Sequence, residues 1–164
     1  MKVGQYCAEN NKPFGFNLSA VFLIEFELEK VLSVIKYADF VFANEDEQAA
    51  IHKKLGVDNV NDHLAKMPKE NLKMPIRSVI MTQGGEPVQI ASFDHSIPEV
   101  EVNHWTVDVP KVDTDLIIDT NGAGDSFVGA FFASLANGAT IKESIENGNV
   151  LSGVVIQKSG CVFE

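Results

Sequence analysis

Asp119-Thr120-Asn121-Gly122-Ala123-Gly124-Asp125-Ser126-Phe127-Val128-Gly129-Ala130-Phe131 is the stretch on which the reading of this chain turns. Two glycines bracket an alanine where an apolar run, Leu116-Ile117-Ile118, expected as a strand, gives way to helical spacing. Asp125 then falls in the first helical turn. A helix start leaves backbone N–H groups unpaired and carries partial positive charge, so it attracts anions. Glycine lets that backbone approach a phosphate with no Cβ in the way. A carboxylate beside an anion site is unfavourable unless it has a task there, and accepting a proton from an attacking hydroxyl is such a task. The stretch therefore suits phosphoryl transfer. It also suits a plain strand-to-helix turn in which Asp125 complements the helix dipole.

Working outward, strands and helices alternate. Phe14–Leu18 reads as a short strand, and Ile24, Leu28, Val31, Leu32 and Ile35 recur at helical spacing. Phe40–Ala43 is a buried-type strand, and Asn44 is a good N-cap for a helix running to about Leu55. A further helical piece spans Asn61 to Met67. Ser78–Met81 is a strand ending at Thr82-Gln83-Gly84-Gly85, and Val88–Ala91 returns as its hairpin partner through Gly85-Glu86-Pro87, while Phe93 to Asp115 reads as irregular short strands. Val128, Phe131, Phe132 and Leu135 mark a helix stopped by Asn137-Gly138, and a last helix starts at Ile141. This alternation indicates an α/β fold with a parallel sheet, whose ligands sit beyond the strand C-terminal ends. Asn44, Thr82 and Gly122 all follow strands in this reading.

Composition narrows the function. The chain has 164 residues, 45% apolar and 22% charged, with a formal charge of −10. That balance suits a globular protein and disfavours nucleic acid or an anionic membrane as partner. No apolar run approaches spanning length. Cys7 and Cys161 have neither metal nor disulfide-scaffold spacing, so a reducing cytoplasm fits, with nuclear presence equally compatible. The four histidines have no ligand spacing and read as surface residues; Trp105 and the phenylalanines read as core. No G-x-x-x-x-G-K-[ST] and no strand-borne G-x-G-x-x-G is present, which excludes a P-loop and a Rossmann dinucleotide site. Asn44-Glu45-Asp46-Glu47 reads first as a capping box, with a place near Mg²⁺ as its functional alternative. Thr82-Gln83-Gly84 reads as a turn able to offer a hydroxyl and backbone groups to a nucleotide.

Together these pieces resemble the ribokinase-like (PfkB) carbohydrate and nucleoside kinases. Asp119 to Gly129 is similar to the second signature of that family, Asn44-x-x-Glu47 to its metal-associated motif, and Thr82-Gln83-Gly84 to its nucleotide-side turn. Asn17-Leu18-Ser19-Ala20 and Ser159-Gly160-Cys161 resemble the branch that phosphorylates adenosine rather than a sugar. The resemblance implies a three-layer α/β/α fold with a largely parallel sheet, and ATP and Mg²⁺ as nucleotide and metal. It makes Asp125 the catalytic base toward the 5′-hydroxyl of adenosine, and Gly122, Ala123 and Gly124 the anion hole. Asn121, Thr82, Gly84 and Asn149 would lie beside ATP, with Asn44 and Glu47 positioning Mg²⁺. Val21 departs from a proline in the pattern, and Asn149 from a histidine found in several members.

Members of the family are about twice this length, so residues 1–164 are expected to correspond to their C-terminal part, with the N-terminal half and lid missing. That half would supply the ribose-binding Asp. Weak or no turnover is therefore expected of the isolated chain, with a nucleotide-binding remnant and a sugar kinase as the alternatives. An open sheet edge would favour self-association or a complementary N-terminal half as partner.

Overall fold

The computed structural model describes residues 1–97 and 99–160, so the Cys161 reading lies outside the described residues. The chain is an α/β protein, as expected, with strands in the order β1 to β5 in one sheet. β1 (Gly15–Asn17), β2 (Phe40–Asn44) and β3 (Ile76–Gln83) run parallel. β4 (Glu86–Asp94) returns beside β3 across the two-residue Gly84-Gly85 turn, hence antiparallel, and β5 (Asn103–Val107) follows. The sheet is mixed: a parallel core continued by an antiparallel hairpin.

The chain forms two compact units, one of Met1–Thr82 with Gln89–Thr106, the other of Gln83–Val88 with Val107–Glu164. In the first, α1 (Lys2–Glu9) precedes β1, and α2 (Val21–Ile35) connects β1 to β2. α2 is broken at Glu27, whose φ of −132° and ψ of 27° leave the helical region. α3 (Glu45–Leu55) and α4 (Val60–Lys66) link β2 to β3. α3 begins in a capping box, carries Glu45, Asp46 and Glu47 in its first turn and His52, Lys53 and Lys54 in its last, and ends on left-handed Gly56. Charge and caps thus follow the helix dipole. Ile24, Ile35, Val41, Ile51, Leu64, Val79 and Met81 fill the core of this unit.

The buried charges are as telling as the apolar core. Arg77, on β3, is 0% exposed. Its Nε donates to the Ala38 carbonyl at 3.0 Å, Nη1 to Leu64 at 3.2 Å and to Met67, and Nη2 to Ile35 at 2.9 Å and Pro68 at 3.1 Å. All five guanidinium N–H groups are used. Their acceptors are carbonyls at the ends of α2 and α4, where helices leave such groups unpaired and the dipole is negative. Burial pushes the Arg77 pKa down to about 10, against the pull of Asp39, so the side chain is charged at neutral pH. Asp39 itself pairs with buried Lys69 and accepts the Phe14 N–H at 2.8 Å. Burial lowers the Lys69 pKa, and the bond to Asp39 opposes it.

In the second unit, the 3₁₀ turn Thr114–Leu116 precedes α5 (Ala123–Ala136) and α6 (Ile141–Val155). The expected strand at Leu116-Ile117-Ile118 does not form. These residues are 53%, 40% and 65% exposed, and the Leu116 and Ile117 amides bond locally to Asp113 and Thr114. The Asp113 side chain caps this turn through the Asp115 amide and competes with an extended backbone. α6 opens in a Thr140–Glu143 capping box. It crosses α5 where Gly148 faces Phe127, at which an added Cβ would lie 2.7 Å from the ring.

Two more expectations need correction. His95 is not a surface residue: it is half-buried, with Nε2 3.1 Å from the Ala65 carbonyl and the Phe93 ring edge-on at 4.8 Å. Phe22 and Phe26 are exposed rather than core. No helix among the described residues is long and apolar enough to cross a membrane.

Two predictions follow from the charged core. Arg77→Met withdraws the donor from five carbonyls, of which Ile35 keeps the Ala38 N–H at 2.9 Å, and leaves the Asp39 and Lys69 pair without its neighbour. It should destabilise the fold by about 3–5 kcal/mol, and Arg77→Lys, with three donors, should recover only part. Urea unfolding midpoints measure both. Burial, then the nearby Arg77 charge, lowers the His95 pKa below its ordinary 6.5. The unfolded chain therefore takes up the proton first, and stability should fall as pH drops from about 6.5 towards the native value. Thermal melts between about pH 7 and pH 5 should show that slope, reduced in His95→Asn; equal slopes would count against the assignment.

Candidate active site

The candidate residues fall into two groups. In the first unit, β2 and β3 end side by side, with Asn44 in register with Thr82. Asn44 is extended, with φ −99° and ψ 178°, and its Oδ1 accepts the Glu47 N–H at 2.9 Å. Glu47 Oε2 accepts the Asn44 N–H at 3.0 Å, and Oε1 accepts from Asn44 Nδ2 at 3.3 Å. The capping reading is thus realised in full. Thr82 Oγ1 donates to the Ala43 carbonyl at 3.3 Å. Gly84, counted with the second unit, sits in the exposed hairpin turn at φ +55°.

Glu47 is only 3% exposed, and burial raises its pKa. The Asn44 N–H pulls the other way, while the charges of Asp46 and Glu45 add to the rise. A buried carboxylate crowded by two others gains from a cation nearby. Among the described residues no group of three or more His, Cys, Asp or Glu could enclose a metal ion. The donors present are oxygens, each already holding one hydrogen bond. They fit Mg²⁺ held through its waters and substrate phosphates, and they do not fit an all-protein cage.

The second group is the turn into α5. Gly122 is the N-cap in the left-handed conformation, φ +77° and ψ −2°, which glycine adopts without steric cost. Its carbonyl takes the Ser126 N–H at 2.9 Å and so closes the first helical turn. The Ala123 N–H donates to Thr120 at 3.2 Å. Of the three expected anion-hole amides, Ala123 is therefore engaged in the turn. The amides of Gly124 and Asp125 have no acceptor among the described residues. An added Cβ at exposed Gly124 would meet nothing within 4 Å, so its backbone faces open space. The Asp125 side chain is exposed and makes no hydrogen bond or ion pair among the described residues.

Asn121 lies in the turn, with its N–H held by Asp119 Oδ1 at 2.9 Å. Asn149 is 5% exposed and donates from Nδ2 to the Asp108 carbonyl at 3.2 Å. Its place is structural on that side; its amide oxygen and its second N–H remain for another partner. Two residues that hold the turn were missed from sequence. Asp119 carries a legible signal, an Asp two positions before the amide it binds. Ser152 carries none: its hydroxyl reaches the Ala123 carbonyl at 2.9 Å from α6, 29 positions along the chain.

An amide-lined helix start can hold an anion, and an unpaired carboxylate in its first turn can accept a proton beside it. Residues 1–164 match the family described as pfkB family carbohydrate kinase. Adenosine kinase 1 of Arabidopsis thaliana is 35% identical over 98% of this chain and 46% of its own length. Adenosine kinase of Dictyostelium discoideum is 37% identical over 96% of this chain and 45% of its own. Among solved structures, adenosine kinase from Schistosoma mansoni in complex with 2-fluoroadenosine superposes with a TM-score of 0.86 at 32% identity, covering 99% of this chain and 47% of that one. The Anopheles gambiae adenosine kinase, in complex with P1,P4-di(adenosine-5) tetraphosphate, gives 0.84 at 33% identity, covering 98% and 46%. The chain thus spans about half the length of the curated relatives it matches. Matched along its whole length and sharing over a third of its residues with these kinases, the chain belongs to the pfkB family of carbohydrate kinases.

Proposed function

We propose that this chain carries the phosphoryl-transfer centre of an ATP-dependent kinase whose acceptor is the 5′-hydroxyl of adenosine and whose product is AMP. The observation that supports it most is Asp125, exposed and unpaired in the first turn of α5, beside the open amides of Gly124 and Asp125. The adenosine kinases to which the chain is similar, two of them in complex with adenosine-type ligands, point to the same acceptor.

In this reading the Asp125 carboxylate accepts the proton of the 5′-hydroxyl as its oxygen attacks the γ-phosphorus of ATP. The new O–P bond forms, the bond to the β,γ-bridging oxygen breaks, and ADP leaves with that electron pair. The amides of Gly122, Gly124 and Asp125 hydrogen-bond the oxygens of the transferring group, with Ala123 fixing the turn. Such transfer depends on positioning and charge stabilisation more than on covalent help from the protein. Mg²⁺, when bound, neutralises phosphate charge; Asn44 and Glu47 would hold its waters. The residues this reading assigns to the nucleotide are Thr82, Gly84, Asn121 and Asn149. Cysteine usage suits a reducing cytoplasm, and AMP formation from adenosine would serve purine salvage there.

An assay of radiolabelled AMP from adenosine and ATP tests the reading. Asp125→Asn should remove at least about a hundredfold of whatever turnover the chain has, with an unchanged unfolding midpoint. Mg·ATP should raise the melting temperature of both proteins. Turnover that survives in Asp125→Asn overturns the base assignment. A thermal shift without turnover identifies a nucleotide-binding module, and neither effect removes the nucleotide reading altogether.

A further inference from the structure

The amides of Gly122, Gly124 and Asp125 point usefully only if the turn before them has a fixed shape, and glycine supplies no rigidity of its own. The turn is held from two sides. Its carboxylate strut is Asp119, half-buried, whose Oδ1 accepts the Asn121 N–H at 2.9 Å and whose Oδ2 accepts the Gly160 N–H at 3.2 Å. The backbone runs with it: the amides of Ile118 and Asp119 both donate to the Ile156 carbonyl, at 2.8 and 3.2 Å. Behind the turn, the Ala123 carbonyl accepts the hydroxyls of Ser126 at 2.8 Å and Ser152 at 2.9 Å.

We propose that Asp119 is a positioning residue for phosphoryl transfer, its carboxylate clamping the glycine turn to the segment that follows α6. The proposal rests on the reading of this turn as the phosphoryl site. Asp119 touches neither the unpaired amides nor Asp125 directly; it acts through Asn121 and Gly160. The clamp couples the two segments, since one carboxylate holds an amide at each end. A second carboxylate near a phosphate site would ordinarily weaken anion binding. Here two backbone N–H groups lie against the Asp119 charge, and these bonds, Asn121 first, hold its pKa below the usual carboxylate range. The residue stays an acceptor at neutral pH and does not compete with Asp125 for the substrate proton.

Amide resonances of the 164-residue chain test this without requiring turnover. Asp119→Ala removes both bonds. Asp119→Asn keeps an oxygen for Asn121 but turns an NH₂ group towards Gly160. In Asp119→Ala the Gly122 and Gly124 resonances should shift or broaden, with Lys142 and Glu143 at the α6 start unmoved. Mg·ATP affinity, by calorimetry, should fall about tenfold or more. Asp119→Asn should perturb the Gly160 resonance fully and the glycine turn by a smaller amount, and it carries the test if the alanine variant does not fold. Unmoved Gly122 and Gly124 resonances in the folded variants, or wild-type ATP affinity in Asp119→Ala, overturn the proposal. If the unsubstituted chain fails to bind Mg·ATP, the phosphoryl-site reading falls while the resonances still report on the clamp.

Discussion

The Arg77 guanidinium is the constraint on which the first unit depends. It lies at 0% exposure and places one charge where the ends of α2 and α4 present five carbonyls. A leucine there would have added apolar burial but taken the guanidinium donors from those carbonyls, each left unsatisfied at a cost of about 1–3 kcal/mol except Ile35, which also accepts the Ala38 N–H. The arginine reverses that sign, because helix C-termini favour a cation and its five donors match five acceptors. Since Arg77 is on β3, the same side chain fixes β3 against two helices. The parallel register then brings Asn44 opposite Thr82 at the strand ends. A buried cation remote from the chemistry thereby sets the position of one group of candidate residues.

The second unit solves a different problem. The chain carries a formal charge of −10, so its mean field repels phosphate, and any anion site on it has to work through local dipoles. Backbone amides at a helix start act within a few ångströms, where screening and distance weaken the rest of the charge. Such a site needs bare amides, which calls for glycine, and a fixed turn, which glycine opposes. The structure resolves the conflict with bonds made from elsewhere. Asp119 holds Asn121 and Gly160, while Ser152 and Ser126 share the Ala123 carbonyl. Gly148 meanwhile lets α6 approach the Phe127 ring, two residues beyond Asp125.

What could be read from sequence was local, and what could not was long-range. The Asn44 cap and the Asn137-Gly138 stop are written in neighbouring residues and form as expected, and so does the hairpin, although its turn is Gly84-Gly85 and the expected connection residues Glu86 and Pro87 already belong to β4. The Leu116-Ile117-Ile118 run misled because apolar content says nothing about burial when Asp113 offers the backbone a competing turn. Arg77 and His95 have ordinary surface-type sequence contexts, and their burial depends on carbonyls and rings supplied by distant segments. α1 carries neither a side-chain cap nor charges placed to suit its dipole, and its formation was not anticipated. The turn residues of the candidate site were legible because glycine spacing and the first-turn carboxylate are local. Their supports, Ser152 above all, were not.

The Asn44–Glu47 pair shows that a structural and a functional reading need not compete. Its hydrogen bonds are those of a capping box, which accounts for the geometry without a metal. Capping alone, however, gives no reason to bury the Glu47 carboxylate to 3% exposure beside Glu45 and Asp46, since an exposed box caps equally well, as Thr140 and Glu143 demonstrate on α6. The two boxes differ in the direction of their acid: Glu143 is lowered by its bonds to Thr140, whereas Glu47 is raised by burial. A carboxylate held in that state is favoured by a positive charge placed near it. The cap fixes where the charge sits, and a hydrated cation is the partner we propose for its oxygens.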